Sequence, residues 1–287
     1  MAESSAVGFW RQHKGRKIPT MLYGTAWKEE QTAACVRAAL EVGFRGIDTA
    51  NQRKHYFEAG VGEALQYAFK TQLLQRTDLF LQTKYTFQNG QDHRLPYDPD
   101  ADYHTQVEQS FQSSCEHLGT DYLDALILHG PSSGSGLQQA DYTVWSAMEN
   151  LQQSRRVHLL GISNVSAPQL RLLLKQATVP PAFVQNRCYA RTGWDAEVRQ
   201  LCREHDILYQ GFSLLTANVY ELNQPDIHRM ALTYELTWMQ LVFAFALQIG
   251  MQPLTGTTNS EHMRQDLAAS QIRLDAADLS FMERIAL

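Results

Sequence analysis

The amino-acid sequence predicts an α/β protein with the (β/α)8 or TIM-barrel architecture, in one domain of residues 1–287 that begins with an N-terminal arm, residues 1–17. Short apolar runs alternate with longer segments of helical periodicity along the chain, and they count to eight strand–helix units. A length of 287 residues also suits one such barrel. A doubly wound open sheet is the main alternative, but the glycine-rich phosphate-binding fingerprint that it needs after its first strand is absent from the sequence.

Each predicted strand leads directly into a predicted helix. In chain order the strand and helix pairs are 21–24 with 29–42, 46–48 with 58–69, 79–84 with 103–118, 123–128 with 139–153, 158–162 with 167–175, 183–185 with 195–205, 208–212 with 233–248, and 252–256 with 259–269. Ser166, and either Asn259 or Ser260, are suitable N-cap residues for two of these helices. The segment Gly60-Val61-Gly62 lies inside a helical pattern and is weak support for a phosphate-binding loop.

The composition is that of an ordinary globular protein that buries a large core, since 44% of the residues are hydrophobic and 19% are charged. The net charge is a mild −5 and the basic residues are dispersed, so we expect no nucleic-acid partner and a solvated arm at the basic stretch 11–17. No apolar run is long enough to span a bilayer, and the N-terminus lacks the pattern of a signal peptide, which predicts a cytoplasmic protein with no membrane partner.

The cysteines are scattered at Cys35, Cys115, Cys188 and Cys202 and form no CxxC pair. This spacing is typical of buried thiols in a reducing compartment, and it does not indicate a disulfide framework or a metal site.

Four residues with acid–base chemistry follow the predicted strands. Asp48, Lys84 and His129 end strands two, three and four, and Tyr56 comes shortly after the first of these. The carboxyl ends of barrel strands meet at one rim, where active sites of this architecture lie. An acid, a phenol, an ammonium and an imidazole at that rim can deliver a proton to a carbonyl oxygen while a hydride arrives from elsewhere.

At these residues the chain resembles the aldo-keto reductase family, over residues 18–267. The matching motifs are Gly43-Phe44-Arg45-Gly46-Ile47-Asp48-Thr49-Ala50, Val61-Gly62-Glu63-Ala64-Leu65, Gln82-Thr83-Lys84, Asp121-Tyr122-Leu123-Asp124 through Leu128-His129, Gly161-Ile162-Ser163-Asn164, and Val184-Gln185-Asn186. The resemblance implies an NAD(P)H-dependent reductase that converts small aldehydes and ketones to alcohols.

The resemblance also implies a role for each catalytic residue. Tyr56 is the expected general acid, Lys84 lowers the pKa of its phenol, and Asp48 holds Lys84 charged. His129, expected to be neutral, orients the carbonyl oxygen. In the family's common pattern the tyrosine comes five residues after the aspartate, a position that Arg53 occupies here. Tyr56 lies eight residues after Asp48 and keeps nearly the family's distance to Val61-Gly62, whereas an exact count back from Val61 reaches His55, which is the alternative. His55 and Trp27 are the expected substrate-pocket residues.

The cofactor-binding residues that the resemblance implies come from the later strands. They are Ser163, Asn164, Gln185, Phe212, Ser213, Leu215, Gly256, Thr257, Thr258, His262 and Asp266. NADP(H) is the usual cofactor of the family. NAD(H) stays the alternative because Gly256 and His262 stand where members that select NADPH carry a lysine and an arginine for the 2′-phosphate. Arg264 and the N-terminus of the helix at Asn259 are expected to compensate in part.

The short segment after the last predicted helix, residues 270–287, predicts an open site that accepts several carbonyl compounds, in a monomer. A non-catalytic, cofactor-binding regulatory subunit on the same barrel is the alternative function. A lyase or isomerase that uses Lys84 as a Schiff-base amine is disfavoured by the Ser163-Asn164 and Gln185 motifs.

Overall fold

A computed structural model describes residues 9–286, and the chain enters it through a β-hairpin. Strands β1 (Trp10–His13) and β2 (Arg16–Pro19) pair antiparallel. The two turn residues, Lys14 and Gly15, have φ angles of +48° and +74°, as a tight type I′ hairpin turn requires. The basic stretch 11–17 is thus part of a hairpin, and most of its residues are exposed to solvent, as expected; residues 1–8 of the expected arm lie outside the described residues.

The hairpin lies across the N-terminal end of a closed barrel. The His13 Nε2 atom is 2.8 Å from the carbonyl oxygen of Ala182, and Lys14 pairs with Asp206 at 2.6 Å. Neighbouring strands of the barrel all pair in parallel, and the strands, whose ranges follow, close in the order β10-β3-β4-β5-β6-β7-β8-β9. The barrel strands are β3 (Leu22–Gly24), β4 (Gly46–Asp48), β5 (Phe80–Tyr85), β6 (Leu123–Leu128), β7 (Val157–Ser163), β8 (Phe183–Arg187), β9 (Leu208–Phe212) and β10 (Gln252–Thr255). The predicted (β/α)8 architecture is confirmed.

The helices surround this barrel. They are α1 (Thr32–Val42), α2 (Glu58–Lys70), α3 (Tyr103–Leu118), α4 (Gln139–Gln153), α5 (Ala167–Gln176), α6 (Ala196–Glu204), α7 (Val219–Leu222), α8 (Pro225–Thr233), α9 (Trp238–Gln248), α10 (Ser260–Ala268) and α11 (Ala276–Glu283). The N-caps of α5 and α10 are Ser166 and Asn259, as expected.

The helix predicted over residues 233–248 corresponds to α9, which begins later, at Trp238, while residue 233 is the last residue of α8. Thr237 begins α9 with a capping box, in which its side chain accepts from the Gln240 amide while the Gln240 side chain accepts from the Thr237 amide. Glu235, in the connection, has a φ of +57°, which a continuous helix does not allow. The capping box at Thr237 and the left-handed conformation of Glu235 therefore place the start of this helix at Trp238.

The main core lies between the barrel and the helices, and a second, smaller apolar cluster fills the N-terminal half of the barrel interior. Ile18, Leu22, Phe80, Ile127 and Phe183 belong to that inner cluster and are nearly or fully buried. Each such side chain contributes about 1.5–3 kcal/mol on burial. Nearer the C-terminal end, the barrel is filled by polar side chains instead, which positions the site described below.

The glycine pair of α2 serves helix packing. A Cβ atom at Gly62 would lie 1.9 Å from the backbone oxygen of His117 in α3, so the two helices approach at the glycine. The weak phosphate-loop interpretation of residues 60–62 thus has no support, because these residues face a neighbouring helix.

Two further sequence expectations bear on the environment of the chain. The four cysteines are buried and none forms a disulfide. Among the described residues no single helix is both long and apolar enough to cross a membrane; only α8 and α9 together, bent by 82°, reach that length and composition. Most of α9 is core helix, since every residue from 241 to 247 is buried.

Candidate active site

A cavity of about 580 Å³ opens at the C-terminal ends of the barrel strands. Its lining includes Trp27, Asp48, His55, Tyr56, His129, Ser163, Asn164, Gln185, Phe212, Ser213, Leu215, Gly256, Thr257, His262 and Asp266. Of the residues proposed for the site from sequence, Lys84 and Thr258 do not line it. Lys84 lies directly beneath the floor of the cavity. There Asp48 accepts hydrogen bonds from Lys84 with one carboxylate oxygen and from glutamine side chains with the other.

Asp48 and Lys84 form a buried ion pair at the ends of neighbouring strands. The Lys84 Nζ atom donates to Asp48 Oδ2 at 2.7 Å and to the backbone oxygen of Thr49 at 2.7 Å. The two side chains are 1–3% exposed. Burial opposes the charge of the ammonium, but Asp48 and Tyr56 outweigh it and raise the pKa of Lys84. Lys84 is therefore a fixed positive charge under the cavity.

Tyr56 comes from the loop between β4 and α2 and lies over this ion pair. The Lys84 ammonium is 5.0 Å from the centre of the Tyr56 ring. Burial and the Asp48 carboxylate raise the pKa of Tyr56, while Lys84 acts in the lowering direction. Lys84 therefore acts on the phenol in the expected direction, but the net pKa of Tyr56 is raised, because the cost of burying a phenolate is larger than the attraction of one shared ammonium.

His129 faces Tyr56 across the cavity, with ring centres 5.8 Å apart and the rings nearly perpendicular. Its Nδ1 atom is 2.7 Å from the Thr86 hydroxyl, which leaves Nε2 for the cavity. Burial, helped by the nearby charge of Lys84, lowers the pKa of His129 to about 3. The imidazole is therefore neutral at ordinary pH, as the sequence analysis expected.

His55, the alternative proton donor, stacks on the exposed Trp27 with ring centres 4.0 Å apart. Trp27 has a φ of +61°, and its amide donates to the His55 backbone oxygen at 2.8 Å. These contacts hold His55 at the rim of the cavity. Tyr56, and not His55, is the neighbour of both Lys84 and His129.

Polar groups of β7 and β8 form the opposite wall. The Ser163 hydroxyl donates to the Gln185 backbone oxygen at 2.6 Å, and the Asn164 side-chain amide donates to the His129 backbone oxygen at 2.8 Å. The Gln185 Nε2 group donates to Asp48 Oδ1 at 2.9 Å. Asn164 Oδ1 and Gln185 Oε1 accept no hydrogen bond from the described residues, so both carbonyl oxygens are available to a donor in the cavity.

The far end of the cavity is formed by the segment after β10. Here the sequence analysis missed Lys28, whose ammonium donates to the Gly256 backbone oxygen at 2.6 Å and lies over the Tyr23 ring. A lysine encoded more than 200 residues away thus lies beside Gly256, although it does not itself line the cavity. A single lysine after a first strand carries no distinctive sequence signal.

Arg264 does not take the compensating place expected for it. Its guanidinium pairs with Glu261 at 2.9 Å and lines a groove at the opposite end of the barrel. The N-terminus of α10 is also partly occupied, because Asn259 Oδ1 accepts from the amides of Glu261 and His262. Asp266 lies below this segment, accepts from the Thr255 hydroxyl at 2.6 Å, and has a pKa that burial raises to about 6.

Comparison with known proteins agrees with this geometry. Residues 18–286 match the aldo/keto reductase family. The chain is similar to the NAD/NADP-dependent indole-3-acetaldehyde reductase of Schizosaccharomyces pombe, with 28% identity over 92% of this chain and 90% of that protein. It is also similar to aldo-keto reductase family 1 member A1 of Gallus gallus, with 26% identity over 96% of this chain and 88% of that protein.

The fold is shared with solved structures. An aldo/keto reductase from Brucella melitensis superimposes with a TM-score of 0.81 at 24% identity, covering 96% of this chain and 98% of that one. A Bombyx mori aldo-keto reductase in complex with NADP superimposes with a TM-score of 0.80 at 20% identity, covering 96% of this chain and 92% of that one.

Proposed function

The chain belongs to the aldo/keto reductase family, and we propose that it reduces small aldehydes and ketones to alcohols with a nicotinamide cofactor, using Tyr56 as the proton donor. One observation carries this proposal: a phenol and a neutral imidazole face each other across the cavity, and a buried ammonium lies beneath the phenol. A carbonyl oxygen between Tyr56 and His129 would have a donor on either side.

The reduction follows from these groups. A nicotinamide held in the cavity would supply a hydride to the carbonyl carbon, and the electron pair of the C=O π bond would remain on oxygen. The Tyr56 O–H donates its proton to that oxygen, and solvent later returns a proton to the phenolate. Lys84 stabilises the phenolate in that interval. Neutral His129 has a ring N–H to donate to the carbonyl oxygen, which orients and polarises the carbonyl.

The cavity suits a nicotinamide. Gln185 Oε1 and Asn164 Oδ1 are free acceptors for the two N–H groups of a carboxamide, and the Phe212 ring lines the same wall for stacking. Ser163, Ser213, Leu215 and the segment from Gly256 to Thr258 would hold the rest of the cofactor, with His262 and Asp266 at its far end. His55 and Trp27 would contact the substrate at the rim.

NADP(H) is the cofactor that we infer first, and NAD(H) is the alternative. The similar Schizosaccharomyces pombe protein is named for use of both. Lys28 is the nearest cation to Gly256, and a phosphate there would gain a charge-assisted hydrogen bond from it. Kd values for NADPH and NADH, measured by fluorescence quenching of wild type and of Lys28→Met, test this inference. A weaker Kd for NADPH alone supports a 2′-phosphate contact, and an equal loss for both cofactors contradicts it.

The activity itself is tested by mixing the protein with NADPH or NADH and a panel of carbonyl compounds that includes a reactive aromatic aldehyde, and by following cofactor absorbance. Oxidation of cofactor with formation of the alcohol supports the proposal. Tight binding of cofactor that is never consumed would instead indicate the non-catalytic regulatory subunit. No binding and no turnover would contradict both.

We also infer a single-domain monomer of the cytoplasm that works without a nucleic-acid partner. In support, all the groups named above come from one barrel, and the described cysteines are free thiols. Size-exclusion chromatography with light scattering tests the monomer, with a mass near 32.6 kDa expected and a doubled mass contradicting it.

A further inference from the structure

The barrel interior carries four buried glutamines just below the cavity floor, and we call Gln82, Gln185, Gln210 and Gln252 the glutamine network. They come from β5, β8, β9 and β10, and they are at most 2% exposed. Gln185, Gln210 and Gln252 are register partners on adjacent strands, and Gln82 is the register partner of Asp48. In barrels of this architecture branched apolar side chains usually fill such layers.

The network forms a continuous set of hydrogen bonds across the barrel. The Gln82 and Gln185 Nε2 groups each donate to Gln210 Oε1 at 3.0 Å. Gln210 Nε2 donates to Gln82 Oε1 at 3.0 Å and to Gln252 Oε1 at 2.9 Å. Gln252 Nε2 in turn donates to the backbone oxygen of Pro19 at 2.5 Å, in hairpin strand β2. The N-terminal hairpin and the C-terminal cavity are thereby connected through the interior.

The direction of every amide in the network is set by its two ends. At one end, Asp48 Oδ1 accepts from Gln82 Nε2 at 2.6 Å and from Gln185 Nε2 at 2.9 Å. At the other end is a carbonyl oxygen of the hairpin. A carboxylate and a carbonyl only accept, so each end requires an N–H, and each amide between them has one consistent orientation. Turning any amide over would place two acceptors or two donors against each other in a dry interior.

We propose that the glutamine network positions Asp48, so that Gln82, Gln210 and Gln252 are positioning residues of the reduction. This proposal rests on the proposed function. Asp48 Oδ2 accepts a hydrogen bond from Lys84, and Oδ1 accepts from the network. The carboxylate therefore cannot rotate without losing a charge-assisted hydrogen bond. A fixed Asp48 fixes Lys84, and Lys84 acts on Tyr56. The charged and titratable groups around Lys84 are Asp48 from β4, Tyr56 from the loop after it, and His129 after β6.

The test replaces each glutamine with methionine, which keeps the length of the side chain and removes its hydrogen bonds. For Gln82→Met we expect kcat to fall about 10-fold with little change in cofactor Kd, because one of two donors to Asp48 Oδ1 is lost. The basic limb of the plot of kcat against pH should also move to lower pH, because Lys84 keeps its proton less firmly. Rates are taken per folded enzyme, from the fraction that binds cofactor.

The order of the effects separates positioning from packing. Positioning predicts kcat losses in the order Gln82→Met, Gln210→Met, Gln252→Met, which follows the number of hydrogen bonds from Asp48. Loss of stability alone would instead be largest for Gln210→Met, because that residue makes four hydrogen bonds in the network. Gln106→Met is the matched control, since Gln106 is a buried glutamine of α3 with three hydrogen bonds and none to Asp48.

A second measurement does not depend on activity. In the cofactor-free protein, hydrogen exchange of the Gln82 and Gln185 side-chain amides is followed by NMR, with assignments from Gln82→Met and from Gln185→Met. Gln252→Met should accelerate exchange at both amides by about 10-fold or more, and Gln106→Met should leave it unchanged. The proposal would be overturned if the two amides exchanged at the wild-type rate in Gln252→Met. It would also be overturned if the network variants kept the wild-type kcat and the wild-type basic limb of the plot of kcat against pH. Absence of turnover in the wild type would overturn only the proposed function.

Discussion

The two ends of the barrel carry concavities of opposite character. At the N-terminal end, between the hairpin and the loops before the strands, lies a groove of about 1180 Å³ lined by Trp10, Arg16, Lys17, Arg45 and Arg264, among others. At the C-terminal end the cavity has only about 580 Å³, yet it contains Asp48, Tyr56 and His129 over buried Lys84. The smaller concavity holds the groups that can exchange protons with a ligand.

The reactive end of this molecule is therefore distinguished by the placement of charged groups, and not by the size of its concavity. Several of the ionic groups that line the groove take part in structural contacts: Asp124 pairs with Arg76 at 2.8 Å, and Arg45 donates to the Leu40 and Phe44 backbone oxygens. At the cavity the ion pair is almost fully buried, and its neighbours have shifted pKa values. Such shifts are typical of functional sites.

Matched tyrosines at the two ends give the largest expected contrast. Tyr56→Phe removes the proposed proton donor, and we expect the rate of carbonyl reduction to fall about 10³-fold, within the range for general acid catalysis. Cofactor Kd should stay within about 3-fold, because the ring remains. Tyr122→Phe, in the groove, should change the rate by less than about 2-fold. Retained turnover in Tyr56→Phe together with lost turnover in His55→Phe would move the role to His55.

The ion pair of the cavity gives the second largest effect. Asp48→Asn removes the charge that outweighs the burial of Lys84, so the pKa of Lys84 should fall and the ammonium should deprotonate at lower pH. We expect about a 10²-fold loss of kcat at pH 7 and a basic limb displaced to lower pH. Steady-state rates between pH 5 and 10 measure both. An unshifted limb in an active variant would contradict the role of Asp48.

Asp124, at the N-terminal end, should affect stability and not catalysis. Burial opposes the ionised form of this carboxylate, but His158, whose Nδ1 atom is 3.7 Å from Oδ1, the pairing with Arg76 and the hydrogen bond from the Leu81 amide outweigh it and lower the pKa of Asp124. Its stabilising contribution is therefore present above an unfolded pKa of about 3.9 and is lost as the pH falls through the lower folded value. Asp124→Asn should cost about 2 kcal/mol at pH 7 and less below pH ~4. Thermal unfolding across pH measures this, and an equal loss at all pH values would contradict it.

Asp266, at the C-terminal end, should show the opposite sign. Its pKa of about 6 lies above the unfolded value, so the stability of the protonated form is present at low pH and is lost as the pH rises from about 4 to about 6. Asp266→Asn, which keeps an acceptor for the Thr255 hydroxyl, should raise the unfolding free energy by about 1 kcal/mol at pH 8 and leave it unchanged near pH 4. A lower melting temperature at pH 8 would contradict the assignment.

The smallest effect is expected at the exposed rim of the groove. Arg264→Gln breaks a surface pair with Glu261 that contributes about 0–1 kcal/mol. Turnover and NADPH affinity should stay within about 2-fold of wild type. A larger loss of NADPH affinity would indicate that Arg264 contacts the cofactor. The N-terminal end of the barrel would then also contribute to cofactor binding.

The sequence pattern predicted the barrel and the positions of Asp48, Lys84 and His129, because parallel strands end at a common rim. It did not predict the hairpin, whose short polar strands carry no apolar run. Nor did it predict the raised pKa of Tyr56, since the balance of burial against one ammonium needs coordinates. Lys28 and Gln210 were missed for a related reason. Their partners lie far away in sequence, and a polar residue inside a strand is ordinarily expected to face outward.

The glutamine network has a consequence for how this chain can change over evolutionary time or in the hands of an engineer. Its amides are mutually dependent, since each supplies a donor or an acceptor to at least one neighbour in the dry interior. A single apolar replacement strands its partners, whereas simultaneous replacement of Gln210 and Gln252 strands fewer groups than the two separate changes together. The effects of substitutions in the network are therefore epistatic, and we expect its four glutamines to be retained, or replaced, together.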